Sequence, residues 1–213
     1  MGPLSGKRGV LFDLDMTLVD SSEAITATLN AVAAELGLRG VGREEVVPLI
    51  GMPLEESMRE LWGFCDGGML SLYRRLFWEH EGSLLRTMDG AEEVLEGLRG
   101  MGFLLGVLSN RKDVGLVLEH LGILGYFDGF WGMLDVPEPK PSPRALEHAL
   151  TALGLSREEA LFVGDSMIDA RCARGAGVDF LGVATGAFGV SDFEREGFRA
   201  VPGLKDLLEL SGR

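Results

Sequence analysis

The stretch KRGVLFDLDMTLVDS, residues 7–21, begins like a buried strand and then carries charge into it. Val10, Leu11 and Phe12 form an apolar run, and Leu14 and Leu18 prolong it, but Asp13 and Asp15 set two carboxylates into it, two residues apart. In an extended chain, residues at that spacing point to the same side. Ionised groups are costly to bury without a partner. Something at the end of this strand must therefore hold two acids.

Further apolar runs follow at 103–109 (FLLGVLS), 160–165 (ALFVGD) and 179–185 (DFLGVAT), with a weaker one at 128–134 (DGFWGML). Continuous apolarity of this length predicts parallel strands covered on both faces. Helical patterns alternate with the runs. Val94, Leu95, Leu98 and Met101 mark a helix over 91–101, and Val114, Val117, Leu118 and Leu121 one over 113–121. Leu146, Ala149, Leu150 and Leu153 mark a third over 143–153. The alternation predicts an α/β fold, a doubly wound, Rossmann-like parallel sheet.

Between the first two strands the chain is far longer than the roughly 30 residues of a whole βαβ unit. Residues 20–88 read as helical throughout. Asp20 with Glu23 suggests a capping box, after which Ile25, Leu29, Val32 and Leu36 share one helical face. Leu54, Met58, Leu61 and Trp62 form a second stripe, opened by Pro53, and Met69, Tyr73, Leu76 and Phe77 form a third. The expectation is an α/β core of residues 1–19 and 89–213 with an all-helical cap, 20–88, inserted after the first strand.

The polar residues that interrupt the strands all fall at their carboxyl ends: Asp13 and Asp15, then Ser109 and Asn110, then Asp165. In open parallel sheets that edge forms the ligand crevice at the topological switch point. Asp169, four residues after Asp165, shares its face at the start of a helix over 167–176. Carboxylates gathered without cations nearby in sequence suggest a hard, oxygen-liganded metal, with Mg²⁺ the usual occupant of phosphate sites. The segment PEPKPSP, residues 137–143, places Lys140 between two prolines, and Pro141 restricts it to extended conformations. Ser142 and Pro143 read as an N-cap and a first helical residue.

The bulk composition limits the partners. The chain has 213 residues, and its formal net charge is −13. Such an acidic surface offers no footprint for nucleic acid or anionic membrane, and no apolar run approaches a membrane span. Cys65 and Cys172 form no metal pattern and fit a reducing compartment, and a cytoplasmic location is expected. His80, His120 and His148 match no zinc spacing. Arg59, Arg74 and Arg75 read as solvated helix arginines.

Taken together, FDLDMTLVD (12–20), VLSN (107–110), Lys140, and GDSMID (164–169) with AGV (176–178) resemble the haloacid dehalogenase superfamily, in its phosphatase branch with a helical cap. They are most similar to phosphoglycolate phosphatase-like members. The resemblance implies an Mg²⁺-dependent phosphatase of small phosphorylated metabolites, monomeric or homodimeric. It implies Asp13 as the nucleophile that becomes an aspartyl-phosphate and Asp15 as general acid and base. Metal would be held by Asp13, the Asp15 backbone carbonyl and Asp165, with Asp169 behind them. Thr17, Ser109, Asn110 and Lys140 would serve the phosphate. A pyrophosphatase or nucleotidase stays open, as does a degenerate, non-catalytic scaffold. A sugar-phosphate mutase is disfavoured by Thr17, where those enzymes typically carry valine. Two departures stand out: Met16 where glycine is common, which is expected to narrow the hinge into the cap, and Asp89 where proline often precedes Gly90.

Overall fold

In the computed structural model the first strand, β1 (Gly9–Phe12), stops one residue short of Asp13. The structure describes residues 2–81 and 83–209; the side chains of His80 and Glu81 lie outside the described residues. After β1 a tight turn leads to a two-residue strand, β2 (Val19–Asp20), and then to four helices: α1 (Ser22–Leu36), α2 (Arg43–Val46), α3 (Leu54–Trp62) and α4 (Gly67–Glu81). A short β3 (Arg86–Thr87) pairs antiparallel with β2 and closes the excursion. The alternating part follows as α5 (Ala91–Gly100), β4 (Leu104–Leu108), α6 (Val114–His120), β5 (Gly129–Trp131), α7 (Pro143–Leu153), β6 (Ala160–Gly164), α8 (Met167–Ala176) and β7 (Asp179–Val183). It ends with α9 (Val190–Arg195), β8 (Arg199–Val201) and α10 (Lys205–Glu209).

The six-stranded sheet has the order β5-β4-β1-β6-β7-β8 and every pairing in it is parallel. The fold is the doubly wound α/β sheet that the apolar runs predict. From β1 the chain builds outward through β4 and β5, then crosses back to lay β6 on the other side of β1. That reversal makes the carboxyl ends of β1, β4 and β6 the switch point. Phe12 is in register with Val107 and with Val163, so Asp13, Ser109 and Asp165 come out at the same edge.

Two apolar clusters cover the faces of the sheet, one with Val10, Phe12 and Leu105 and the other with Leu11, Phe162 and Leu146. The helices α1–α4 bury a third cluster of their own, including Leu29, Val32, Met58, Tyr73 and Phe77. Among the described residues no helix is long and apolar enough to cross a membrane.

Local chemistry explains several boundaries. Helix α7 starts at Pro143 behind the N-cap Ser142, whose hydroxyl accepts from the Arg144 amide, as the sequence predicts. Helix α1 departs from expectation. It begins at Ser22, and the Asp20 carboxylate accepts from the backbone amide and hydroxyl of Ser22, at 3.1 and 2.6 Å. No capping box with Glu23 forms; the acid instead closes a short turn ahead of the helix. Leu36, at the end of its predicted stripe, is exposed. Strands β2, β3 and β8, each of two or three residues, are too short to leave a periodic signal.

Candidate active site

The extended chain ends at Phe12, and the turn that follows carries both acids. Each has a cation of its own. Lys140 Nζ lies 2.6 Å from Asp13 Oδ1 and 2.6 Å from Asp169 Oδ1. Arg111 Nη1 lies 2.7 Å from Asp15 Oδ1. The turn that separates the two acids is tight: the amides of Leu18 and Val19 both donate to the Leu14 carbonyl, and Met16 N donates to Val19 O at 2.7 Å.

Met16 sits at the centre of this turn with φ 61°, in the left-handed region. The sequence suggests that a Met here would avoid the conformations glycine allows. It adopts one of them regardless, at a cost of about 1–2 kcal/mol. Burial offsets that cost, since Met16 is only 2% exposed, and the Thr185 hydroxyl donates to its carbonyl.

Asp13, Asp165 and Asp169 converge so that one carboxylate oxygen from each lies within 4.8 Å of the others, and all three side chains are buried. Helix α8 and its cap place Asp169: the amide and hydroxyl of Ser166 donate to Asp169 Oδ2, and the Ser166 hydroxyl accepts from the Asp169 amide. Thr17 Oγ1 donates to Asp165 Oδ1 at 3.2 Å. A side chain at Gly186 would occupy the place of the Asp165 carboxylate, because an added Cβ would lie 1.9 Å from Oδ2. The site is therefore built around the volume of that acid.

The electrostatics are strained in a consistent direction. Burial, followed by repulsion from Asp169, pushes the Asp13 carboxyl up to about 7, against the pull of Lys140. Burial and the charges of Asp13 and Asp169 likewise raise Asp165 well above the usual carboxylate range. For Lys140, burial acts downward, but attraction to Asp13 and Asp169 outweighs it and holds the ammonium charged. Three carboxylates against one ammonium leave two negative charges unbalanced when all are ionised. An all-oxygen donor set with that deficit fits a hard divalent cation.

The remaining candidates hold the frame together. Asn110 is bonded to Lys140 through both backbone groups: its Nδ2 donates to Lys140 O at 2.9 Å and its Oδ1 accepts from Lys140 N at 2.9 Å. The same Nδ2 donates to Gly51 O at 3.0 Å, which ties β4's end to the helical segment. Ser109 Oγ accepts from Arg111 N. His120 and His148 are exposed on their helices. Cys172 is buried, with its thiol pushed up to about 11 by that burial, and behaves as the small apolar residue its helix predicts.

Arg111 is the site residue that the sequence reading misses. Besides Asp15 it reaches Asp113, with Nε 3.1 Å from Oδ1, and its guanidinium lies 4.7 Å from the ring centroid of Phe77 on α4. It thus links an acid at the end of β1 to the helical segment. The available signal was position: a cation immediately after the polar pair Ser109–Asn110 that ends β4.

Comparison with known proteins identifies the family. Residues 10–183 match the family model of haloacid dehalogenase-like hydrolases. A pyrophosphatase, PpaX, from Bacillus velezensis is 33% identical over 208 residues, covering 95% of each chain. A phosphoglycolate phosphatase from Neisseria gonorrhoeae is 30% identical over 194 residues, covering 84% of this chain and 80% of that one. The crystal structure of a haloacid dehalogenase-like hydrolase from Bacteroides fragilis superposes with a TM-score of 0.85 at 30% identity, over 94% of this chain and 99% of the other. With a family match over most of its length, and buried acids at the strand ends where the family motifs fall, the chain belongs to the haloacid dehalogenase-like hydrolases.

Proposed function

We propose that the protein is an Mg²⁺-dependent phosphatase that hydrolyses a small phosphorylated metabolite through an aspartyl-phosphate on Asp13. The observation that carries this reading is the buried group Asp13, Asp165 and Asp169, braced by Lys140, beside an Asp15 that is positioned separately by Arg111. Two carboxylates in different environments can take different chemical roles. The relatives support the reaction class, since the names pyrophosphatase and phosphoglycolate phosphatase both describe hydrolysis at phosphorus.

Asp13, held through Oδ1 by Lys140, attacks phosphorus, and the bond from phosphorus to the leaving oxygen breaks. Asp15 gives that oxygen its proton. The resulting Asp15 carboxylate then takes a proton from water as the water attacks the aspartyl-phosphate, which frees Asp13 and inorganic phosphate. Mg²⁺, held by Asp13, Asp165 and the Asp15 carbonyl, would keep Asp13 ionised and neutralise charge on the phosphoryl oxygens. Asp169 already answers to Ser166 and Lys140, which suits a supporting position rather than direct ligation. Lys140, Ser109 and the Asn110 backbone receive phosphate oxygens, and Thr17 steadies Asp165. In this reading residues 20–88 form the cap, and the Asn110–Gly51 bond is one of its fastenings to the core.

The test is release of phosphate from a panel of small phosphate monoesters and pyrophosphate. Hydrolysis that requires Mg²⁺ and disappears in EDTA is expected. Full activity in EDTA, or no hydrolysis of any phosphate compound, would overturn the reading. Pyrophosphate as the sole good substrate would select the pyrophosphatase alternative.

Stability should report the same site. Asp13 binds its proton at about pH 7 when folded and near 3.8 when unfolded. Between those values the native state holds more protons, so stability falls as pH rises. The metal-free protein should therefore melt at a higher temperature at pH 5 than at pH 8. Mg²⁺ should add more at pH 8 than at pH 5; wherever it stands at a hundredfold excess over its dissociation constant, its whole stabilisation is about 2.7 kcal/mol. Calorimetry with and without Mg²⁺ checks this, and an Mg²⁺ effect independent of pH would contradict the assignment.

A further inference from the structure

Beside Asp15 the crevice continues into a cavity of about 400 Å³ under α1–α4. That size lies at the lower end of small-molecule pockets, roughly 300–1,000 Å³. A two-carbon leaving group has too few atoms to fill it. Its buried wall is mostly apolar, with Leu29, Val46, Tyr73 and Phe77, while Asp15, Ser57 and Ser109 are its buried polar residues. Phe77 stacks on Tyr73 and meets Trp78 edge-on, each at 5.6 Å between centroids, which gives the cavity one rigid aromatic side.

The charges are distributed unevenly over the same wall. Glu55, Arg74 and Lys112 line the cavity but are exposed, so they stand at its mouth. Arg111 is a half-buried cation of the lining, and it is already engaged by Asp15, Asp113 and the Phe77 ring. A leaving group with an anion of its own, whether a carboxylate or a second phosphate, would bring charge into apolar surroundings. It would find there no buried, uncommitted cation among the described lining residues. An uncharged ring would instead replace water on Leu29, Tyr73 and Phe77.

We infer that this cavity receives the leaving group, and that the substrate is the phosphate monoester of an uncharged, ring-bearing alcohol or phenol. The inference rests on the phosphatase reading above, and on buried Asp15, the proton donor to the leaving oxygen, being part of the cavity's lining. It sets this chain apart from relatives whose names specify glycolate phosphate or pyrophosphate.

Binding separates the inference from the reading on which it rests. Methylphosphonate and 1-naphthylmethylphosphonate, which cannot be hydrolysed, are titrated calorimetrically into the full-length protein with Mg²⁺. The naphthyl compound should bind at least about tenfold more tightly, from the apolar area it removes from water. Ile25→Trp, which fills the cavity, and Trp78→Ala, which removes the exposed ring of its aromatic side and leaves the buried Tyr73 and Phe77 in place, should each shrink that ratio severalfold. In parallel, kcat/KM for 1-naphthyl phosphate should exceed that for 2-phosphoglycolate and pyrophosphate. Equal affinities for the two phosphonates, or a higher kcat/KM for either small anionic substrate, would overturn the inference while leaving the phosphatase intact. A naphthyl preference in binding without hydrolysis of any phosphate compound would sustain the cavity assignment and overturn the phosphatase reading instead.

Discussion

Asp13→Asn should lower turnover by at least about 10³-fold while leaving the protein folded. The carboxamide is a poor nucleophile, so the covalent step is lost rather than slowed by misplacement. Stability should hardly change, for a reason specific to this cluster. The site already disfavours the ionised form of Asp13, since burial and Asp169 push its carboxyl up to about 7. A neutral side chain of the same shape removes that repulsion. It weakens one of the two bonds from Lys140 but leaves Asp169 as the other partner. The melting temperature of the metal-free variant should thus stay within a few degrees of wild type. Steady-state kinetics and calorimetry on the same preparation check both halves. Retention of a tenth of the wild-type rate would rule out covalent catalysis through Asp13.

Lys140→Met should behave in the opposite way, as a failure of folding first and of chemistry second. Lys140 is 3% exposed and makes two short bonds to carboxylates that have few other sources of positive charge. Breaking a buried pair by removing one partner costs about 3–5 kcal/mol. In a chain of this size that lowers the melting temperature by roughly 10 °C. The loss should be smaller at pH 5, where protonation relieves Asp13, and smaller again with Mg²⁺ present. A melting temperature unchanged at pH 8 without metal would mean that Lys140 does not balance this cluster. Turnover should also fall, because the ammonium both orients Asp13 and meets a phosphate oxygen.

These two residues mark how far the sequence carries the argument. Lys140 lies 127 residues from Asp13 and 29 from Asp169, and as a lysine between prolines it has a plain structural explanation. Its order among the other motifs singled it out, and the structure then placed its ammonium between two carboxylates. Asn110 was likewise legible as a polar residue at a strand end. That its side chain would grip the backbone of Lys140 and the carbonyl of Gly51 was not, because such bonds depend on which loops the sheet order makes neighbours.

The parallel sheet, the helical excursion after β1 and the acids at the strand ends all follow from the sequence alone. They rest on apolar periodicity and on polar residues breaking it, which are properties of local chain geometry. Three things were decided by tertiary structure. Asp13 and Asp15 each gained a cation of their own, Lys140 and Arg111, from distant parts of the chain that the sheet brings to the end of β1. Met16 took a left-handed conformation, because the surrounding turn and its own burial outweigh its backbone preference. Arg111 became the link between Asp15 and Phe77, because the loop after β4 meets both the end of β1, 96 positions away, and Phe77 of α4. Pairings of that kind are set by the whole fold, and no window of sequence contains them.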